Sequence, residues 1–218
     1  MIVKNARCAL PGHERLVKRE FRIAGEKITE VADSIEAHEG EEIIDADGLE
    51  LYPGAIDPHV HFNEPGFTHR EDFYHGSMAA ARGGVTTVID MPGTSIPPVT
   101  TLESLRQKLN VIEKRSVVDF ALFGGISGHR IEQALAADME AMAPYVVGFK
   151  CRTISSMDTF TAVDHYGFGR AAEKAEALGR PLLLHAEDAG VVLPATELMK
   201  ARSIAENRDR SEERRVGK

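Results

Sequence analysis

The chain has 218 residues, 43% hydrophobic and 28% charged, with a formal net charge of −8. This is ordinary globular usage, and the acidic balance argues against a nucleic-acid partner, which calls for a basic stripe. Without a run of about 18 apolar residues there is no membrane span, and "MIVKNARCAL" lacks the long apolar core of a signal peptide. Cys8 and Cys151 are too few for a disulfide framework and fit a reducing, cytoplasmic setting.

Residues 1–52 read as short strands. In "EFRIAGEKITEVA", Phe21 and Ile23, then Ile28 and Val31, alternate across a turn at Gly25–Glu26, which predicts a hairpin in a small β module. From Pro53 the texture changes. "GAIDPHVHF" predicts a strand, "HREDFYHGSMAAARGG" a helix stopped by a glycine pair, and "VTTVIDMP" a β-branched strand. In "NEPG", Pro65 and Gly66 fit the middle of a type II turn. Thr100 with Glu103 predicts a capping box, opening a helix with Leu102, Leu105, Leu109 and Ile112 on one face. "VVDFALFGG" and "YVVGFKC" are strands around a helix over "HRIEQALAADMEAMA". "FGRAAEKAEALG" predicts a helix closing on Gly179, "PLLLHAE" a fifth strand, and "ATELMKARSIAEN" a last helix.

Strands alternating with helices at this spacing mean βα units and a parallel sheet. No Gly-x-Gly-x-x-Gly fingerprint supports a dinucleotide site. His59, His61, Asp90, Lys150 and His185 instead sit at the C-terminal ends of strands, as functional residues do on a (β/α)8 barrel. The fold class expected is α/β, a partial (β/α)8 TIM-like barrel of about five βα units over residues 53–207. A closed barrel takes about 250 residues, so the sequence reads as incomplete. The nearly all-charged end "RDRSEERRVGK", residues 208–218, reads as a disordered end, a solvated helix face or a non-native tail.

His59 and His61 stand two apart on one strand and share a face with Asp57. Neutral imidazoles placed this way can grip a divalent cation; the plain alternative is a pair of surface histidines. Lys150 lies on a strand of a parallel sheet, where burial of a charge is costly unless the side chain snorkels out. A desolvated lysine has a reactive neutral amine. It can form a Schiff base, or take up CO2 as a carbamate whose oxygens bridge two metals, and the histidine pair favours the carbamate. His185 follows three leucines as a further ligand or a core histidine, with Glu187 and Asp188 available to its other ring nitrogen. "MPGTSIPP" reads as a pocket loop. His13, His38, His69, His75, His129 and His165 read as surface or helix residues.

"PGAIDPHVHFNEPG", "HREDFYHGSMAAARGGVTTVIDMP", "VVGFKC" and "PLLLHAED", in this order, resemble the cyclic amidohydrolases: dihydroorotase, allantoinase and hydantoinase. The resemblance covers roughly residues 1–207 and implies a distorted (β/α)8 barrel with a small β-sandwich, to which residues 1–52 contribute the N-terminal portion. It implies two divalent metal ions, usually zinc, with His59 and His61 on one, His185 on the other, and carboxylated Lys150 bridging both. It implies a small-molecule cyclic amide or ureide substrate, no nucleic-acid or membrane partner, and homo-oligomers. The proton-transferring aspartate and a second histidine ligand are expected beyond residue 218, so this chain alone is expected to have little or no activity. Asn63 and Gly93 stand at the substrate-binding positions where a dihydroorotase typically carries the arginine and asparagine that hold its substrate carboxylate. The helix after the first loop leans towards dihydroorotase in pyrimidine synthesis, whereas "HFNEPG" and "GFKC" lean towards allantoinase. Arg152 is a candidate replacement cation. A non-catalytic scaffold relative is the reading from another class.

Overall fold

A computed structural model describes residues 1–201 and divides into two compact units, Met1–Ala55 and the chain from Ile56.

The first unit is one mixed sheet of five strands: β1 (Ile2–Cys8), β2 (Val17–Ala24), β3 (Lys27–Ala32), β4 (Ile43–Asp45) and β5 (Glu50–Leu51). β1 pairs antiparallel with β2 and parallel with both β4 and β5. The expected hairpin is β2–β3, closing at Ala24 and Lys27. Gly25 has φ 60°, the arrangement of a type II′ turn, in which only the first loop residue needs a positive φ. Its small core gathers Ala6, Cys8, Phe21 and Ala46. Glu20 is buried there, accepting the Ile35 N–H at 2.7 Å and facing Lys4 Nζ at 3.6 Å.

The second unit is a curled parallel sheet, a partial barrel, in the order β10-β9-β8-β7-β6. Its strands are β6 (Ala55–Val60), β7 (Val85–Asp90), β8 (Asp119–Gly125), β9 (Gly148–Arg152) and β10 (Leu182–His185). Between them run α1 (Phe73–Arg82), α2 (Leu102–Ile112), short α3 (Ile131–Gln133) and α4 (Met139–Met142), and α5 (His165–Ala177). The final helix is α6 (Ala189–Ala201). Each strand contributes apolar side chains to one continuous core that includes Val60, Val88, Leu122, Phe149 and Cys151. Phe73, fully buried at the start of α1, meets the rings of Phe62 and Phe120 edge-on. Leu105 and Ile112 of α2 are fully buried and Leu102 and Leu109 pack beside them, as the helical spacing predicts.

Several local expectations are corrected. The capping box of α2 is Thr101 with Ser104, not Thr100 with Glu103. Thr101 Oγ1 accepts the Ser104 N–H at 3.1 Å, and Ser104 Oγ accepts the Thr101 N–H at 3.0 Å. Thr100 is drawn into the buried end of the proline-rich loop, so capping passes to the next hydroxyl, and Glu103 faces solvent. The single helix expected over residues 129–143 is broken by a π turn, Ala134–Asp138, between α3 and α4. Ala134 and Met139 are both buried and stand five residues apart, a spacing that one wide turn brings onto one face. The type II turn expected at Pro65–Gly66 is a wider one: the Phe67 N–H reaches Asn63 O at 2.9 Å, around a cis Glu64–Pro65 bond. Gly66 has φ 103°, and a Cβ there would lie 2.7 Å from Ile96 Cβ, so glycine is required on both counts. α6 starts at Ala189, well before the predicted start at Ala195, because Pro194 is carried inside the helix rather than ahead of it. The predicted continuation to residue 207 and the tail 208–218 lie outside the described residues.

Thr101→Ala is expected to cost about 1 kcal/mol in urea denaturation, and Glu103→Ala less than about 0.5 kcal/mol. The reverse ranking would put the cap back at Thr100.

Candidate functional site

The C-terminal ends of the parallel strands gather the polar side chains. His59 lies in β6 and His61 immediately follows its last residue; their ring centroids are 5.2 Å apart. The Met91 N–H bonds to Val60 O at 3.0 Å, which places the start of the proline-rich loop beside them. Gly125 at the end of β8 is in register with Lys150 on β9, and Arg152 on β9 with His185 on β10. Lys150 and Arg152, two apart on one strand, share a face.

The electrostatics tie these groups into one cluster. Both imidazoles present an exposed side to solvent, yet their surroundings disfavour the charged form. Desolvation, then the Lys150 ammonium, lowers the His59 pKa, against the pull of Asp57. Desolvation pushes His61 down to about 4, helped by His59, Arg152, Lys150 and Lys108. Both rings are neutral near pH 7, the form in which imidazole donates a lone pair. Hydrogen bonds indicate which nitrogens are engaged. His61 Nδ1 lies 3.1 Å from Thr94 Oγ1, leaving Nε2 as the unengaged nitrogen. His185 Nε2 lies 2.5 Å from Glu187 Oε1. That carboxylate fixes the ring and leaves Nδ1 for a ligand. Of the two acidic residues expected to support His185, Glu187 makes the contact and Asp188 instead accepts the Gly190 N–H at 2.8 Å.

Lys150 is 6% exposed and forms an ion pair with no carboxylate among the described residues. Desolvation, then Arg152, lowers its pKa and favours the neutral amine. Its neighbour Cys151 is a buried free thiol pushed up to about 11 by desolvation, so it is inert beside the lysine.

Asp90 supports the β6 end from below. It is 1% exposed, accepts the Phe62 N–H at 2.8 Å and pairs with Lys108 Nζ at 2.5 Å. Desolvation pushes its carboxyl up, against the pull of Lys108 and the Phe62 N–H. Glu64 continues the scaffold: buried, it accepts the Phe73 N–H at 2.9 Å and pairs with Arg115. The loop carrying His61, Phe62 and Asn63 is thus held by two buried carboxylates.

Asn63 adopts φ 56° and its amide donates to His61 O at 2.9 Å. Gly93 is buried in the loop after β7. A Cβ on it would lie 3.0 Å from Phe160 Cδ1 and 3.1 Å from Arg152 Nη2. Phe160 is fully buried and would likewise meet a Cβ on Gly125 at 2.6 Å. One aromatic ring therefore occupies the space left by two glycines, and the Arg152 guanidinium lies over it at 5.4 Å.

Of the residues expected from sequence, His59 and His61 stand at the C-terminal end of β6 and His185 at that of β10, whereas Lys150, expected at a strand end, is the third of the five residues of β9, and Asp90 is a buried support of the β6 end. Asp72 caps α1 by accepting the His75 N–H at 2.8 Å, with the His75 ring 2.9 Å from the same carboxylate, and His129 bonds to Ser127 Oγ at 3.0 Å, both consistent with local roles. Sequence reading passed over Thr94, Lys108 and Phe160. Lys108 carried a signal: it falls three residues after Leu105 and four before Ile112, a charge inside an apolar stripe. Thr94 and Phe160 lie in loops without periodicity.

No three His, Cys, Asp or Glu side chains among the described residues group closely enough to hold a metal by themselves. A metal shell here has to include a donor from outside that set, and a carbamate on Lys150 would be such a donor.

Residues 51–203 match the amidohydrolase family, and the chain belongs to it. It is 34% identical to an allantoinase of Deinococcus radiodurans, over 99% of this chain and 47% of that protein. It is 36% identical to a dihydroorotase of Methanosarcina acetivorans, over 83% of this chain and 38% of that protein. Among solved structures it is similar to the L-hydantoinase (dihydropyrimidinase) of Arthrobacter aurescens, with TM-score 0.80 and 28% identity over 93% of this chain and 44% of the other. The chain spans about half the length, or less, of these relatives. No helix among the described residues is long and apolar enough to cross a membrane.

Lys108→Met would leave Asp90 buried without its counter-ion, at an expected cost of about 3–5 kcal/mol by urea denaturation at pH 7. Because burial already raises the Asp90 pKa, protonation relieves the unpaired charge, and the deficit should narrow as the pH falls towards 5. A loss under about 1 kcal/mol would show that the pair contributes little.

Proposed function

We propose that this chain carries the metal-binding strands of a hydrolase that opens a cyclic amide at its C–N bond, most like a dihydroorotase of pyrimidine synthesis. The observation that carries this reading is a lysine buried in β9 without an ionic partner among the described residues, in one electrostatic cluster with His59, His61 and His185. Lys150 as its carbamate turns an unpaired buried cation into an anion with two donor oxygens. His59 and His61 would then hold one divalent ion, His185 a second, and carboxylated Lys150 both, with zinc suited to this nitrogen and oxygen set.

Bound ions would supply an acidified water and polarise the ring carbonyl. The chain's own residues do the rest of what can be assigned. Thr94 and Glu187 orient His61 and His185 by engaging the nitrogen that does not face a ligand. Asp90 and Glu64 fix the loop on which His61 rides. Desolvation keeps the His59 and His61 imidazoles neutral, so neither has to give up a proton when an ion binds near pH 7.

Allantoinase and hydantoinase readings have equal support from the relatives bearing those names. A non-catalytic scaffold is separated from all of them by metal content. Protein produced with zinc and bicarbonate should hold about one ion per chain or more, and Lys150→Met should lose most of it. The intact mass of the wild type, measured under native conditions, should show one added CO2, absent in Lys150→Met. Fewer than about one ion per two chains in the wild type would favour the scaffold.

A further inference from the structure

We propose that Arg152 is the specificity-determining residue of this site, its guanidinium, which the glycine at 93 admits, receiving a carboxylate on the ring substrate. The inference rests on the hydrolase reading above and adds to it the substrate's charged substituent and the residue that recognises it.

Among the described residues Arg152 is a cation without an anion. Its Nε is buried with no hydrogen-bond partner, and Nη1 reaches only the Met157 sulfur at 3.8 Å, a weak acceptor. No carboxylate among the described residues pairs with it. By contrast Arg22, Arg115, Arg130 and Arg170 each pair with a carboxylate. The Arg152 guanidinium is nevertheless held in place, with its Cζ 5.4 Å from the centre of the fully buried Phe160 ring. A planar guanidinium backed by an aromatic face presents its fork in a fixed direction, the geometry that binds a carboxylate through two N–H donors.

Its location is that of the proposed chemistry. Arg152 shares a strand face with Lys150 and is in register with His185. Gly93 is the residue that makes room for it. Any side chain there would begin 3.1 Å from Arg152 Nη2 and 3.0 Å from the Phe160 ring. The absence of a side chain at 93 and the presence of arginine at 152 are therefore one arrangement. Meanwhile the Asn63 amide is turned onto its own main chain, so the cation at this site comes from β9 rather than from the loop after β6.

The test is calorimetric titration of dihydroorotate, and of hydantoin as a ring amide without a carboxylate, into the wild type, Arg152→Met and Gly93→Ala, with zinc content measured on every sample. The wild type should bind dihydroorotate at least about tenfold more tightly than hydantoin. Arg152→Met should erase that margin and leave hydantoin unchanged. Gly93→Ala, by crowding the guanidinium, should weaken dihydroorotate selectively. Should Arg152→Met not fold, Arg152→Lys and Gly93→Ala carry the same comparison, the lysine keeping the charge and losing the fork. Equal affinities in the wild type, no binding of either ring, or a margin indifferent to these substitutions would overturn the assignment. If zinc is then present as expected, the hydrolase reading stands and Arg152 alone loses its role. An Arg152-dependent margin in protein that binds no zinc would sustain the receptor and sink the hydrolase.

Discussion

Among the described residues two lysines are buried in the parallel-sheet unit, and the difference between them organises the site. Lys108 is 1% exposed and sits against Asp90 at 2.5 Å, the ordinary solution to a buried ammonium. Lys150 is 6% exposed and has no carboxylate partner among the described residues. A fold that neutralises one lysine and leaves the other beside a second cation, Arg152, has kept a local excess of positive charge at the ends of β9 and β10. Desolvation and that excess together hold His59 and His61 neutral. The region is thus prepared for added negative charge, whether on the lysine itself or on a ligand.

Most of the framework was legible because it is periodic. Alternation in Phe21 and Ile23 revealed the hairpin, and the spacing of Leu105 and Ile112 oriented α2. The five strands of the partial barrel follow from short β-branched or apolar runs between glycine stops. His59, His61, Lys150 and His185 were visible because a polar residue at the end of an apolar strand stands out. What escaped depends on contacts between distant segments. Asp90 and Lys108 lie on different elements, and nothing local to either says that the other is near. Phe160 reads as one aromatic in a loop, yet it fills space belonging to Gly93 and Gly125. Caps slipped by one residue because three hydroxyl-bearing residues, Thr100, Thr101 and Ser104, crowd the start of α2 and only tertiary packing chooses among them.

The departures from the dihydroorotase pattern at Asn63 and Gly93 look in sequence like two losses. In three dimensions the second is coupled to a gain. The glycine admits a guanidinium from a neighbouring strand, and the loop after β6 turns its amide inward to its own backbone.

Phe160 has one more consequence. It anchors the segment between β9 and α5 through a single buried ring, with the Ser155 hydroxyl donating to Phe160 O at 2.7 Å and the Thr161 N–H donating to Ser127 Oγ at 2.8 Å on either side. Ser156, Asp158 and Thr159, just outside that anchor, are exposed. The segment is therefore divided into a fixed footing and a free crest. Met157, between these exposed positions, keeps its sulfur 3.8 Å from Arg152 Nη1, so a change in the crest reaches the end of β9 through that one contact while the footing holds the rest in place.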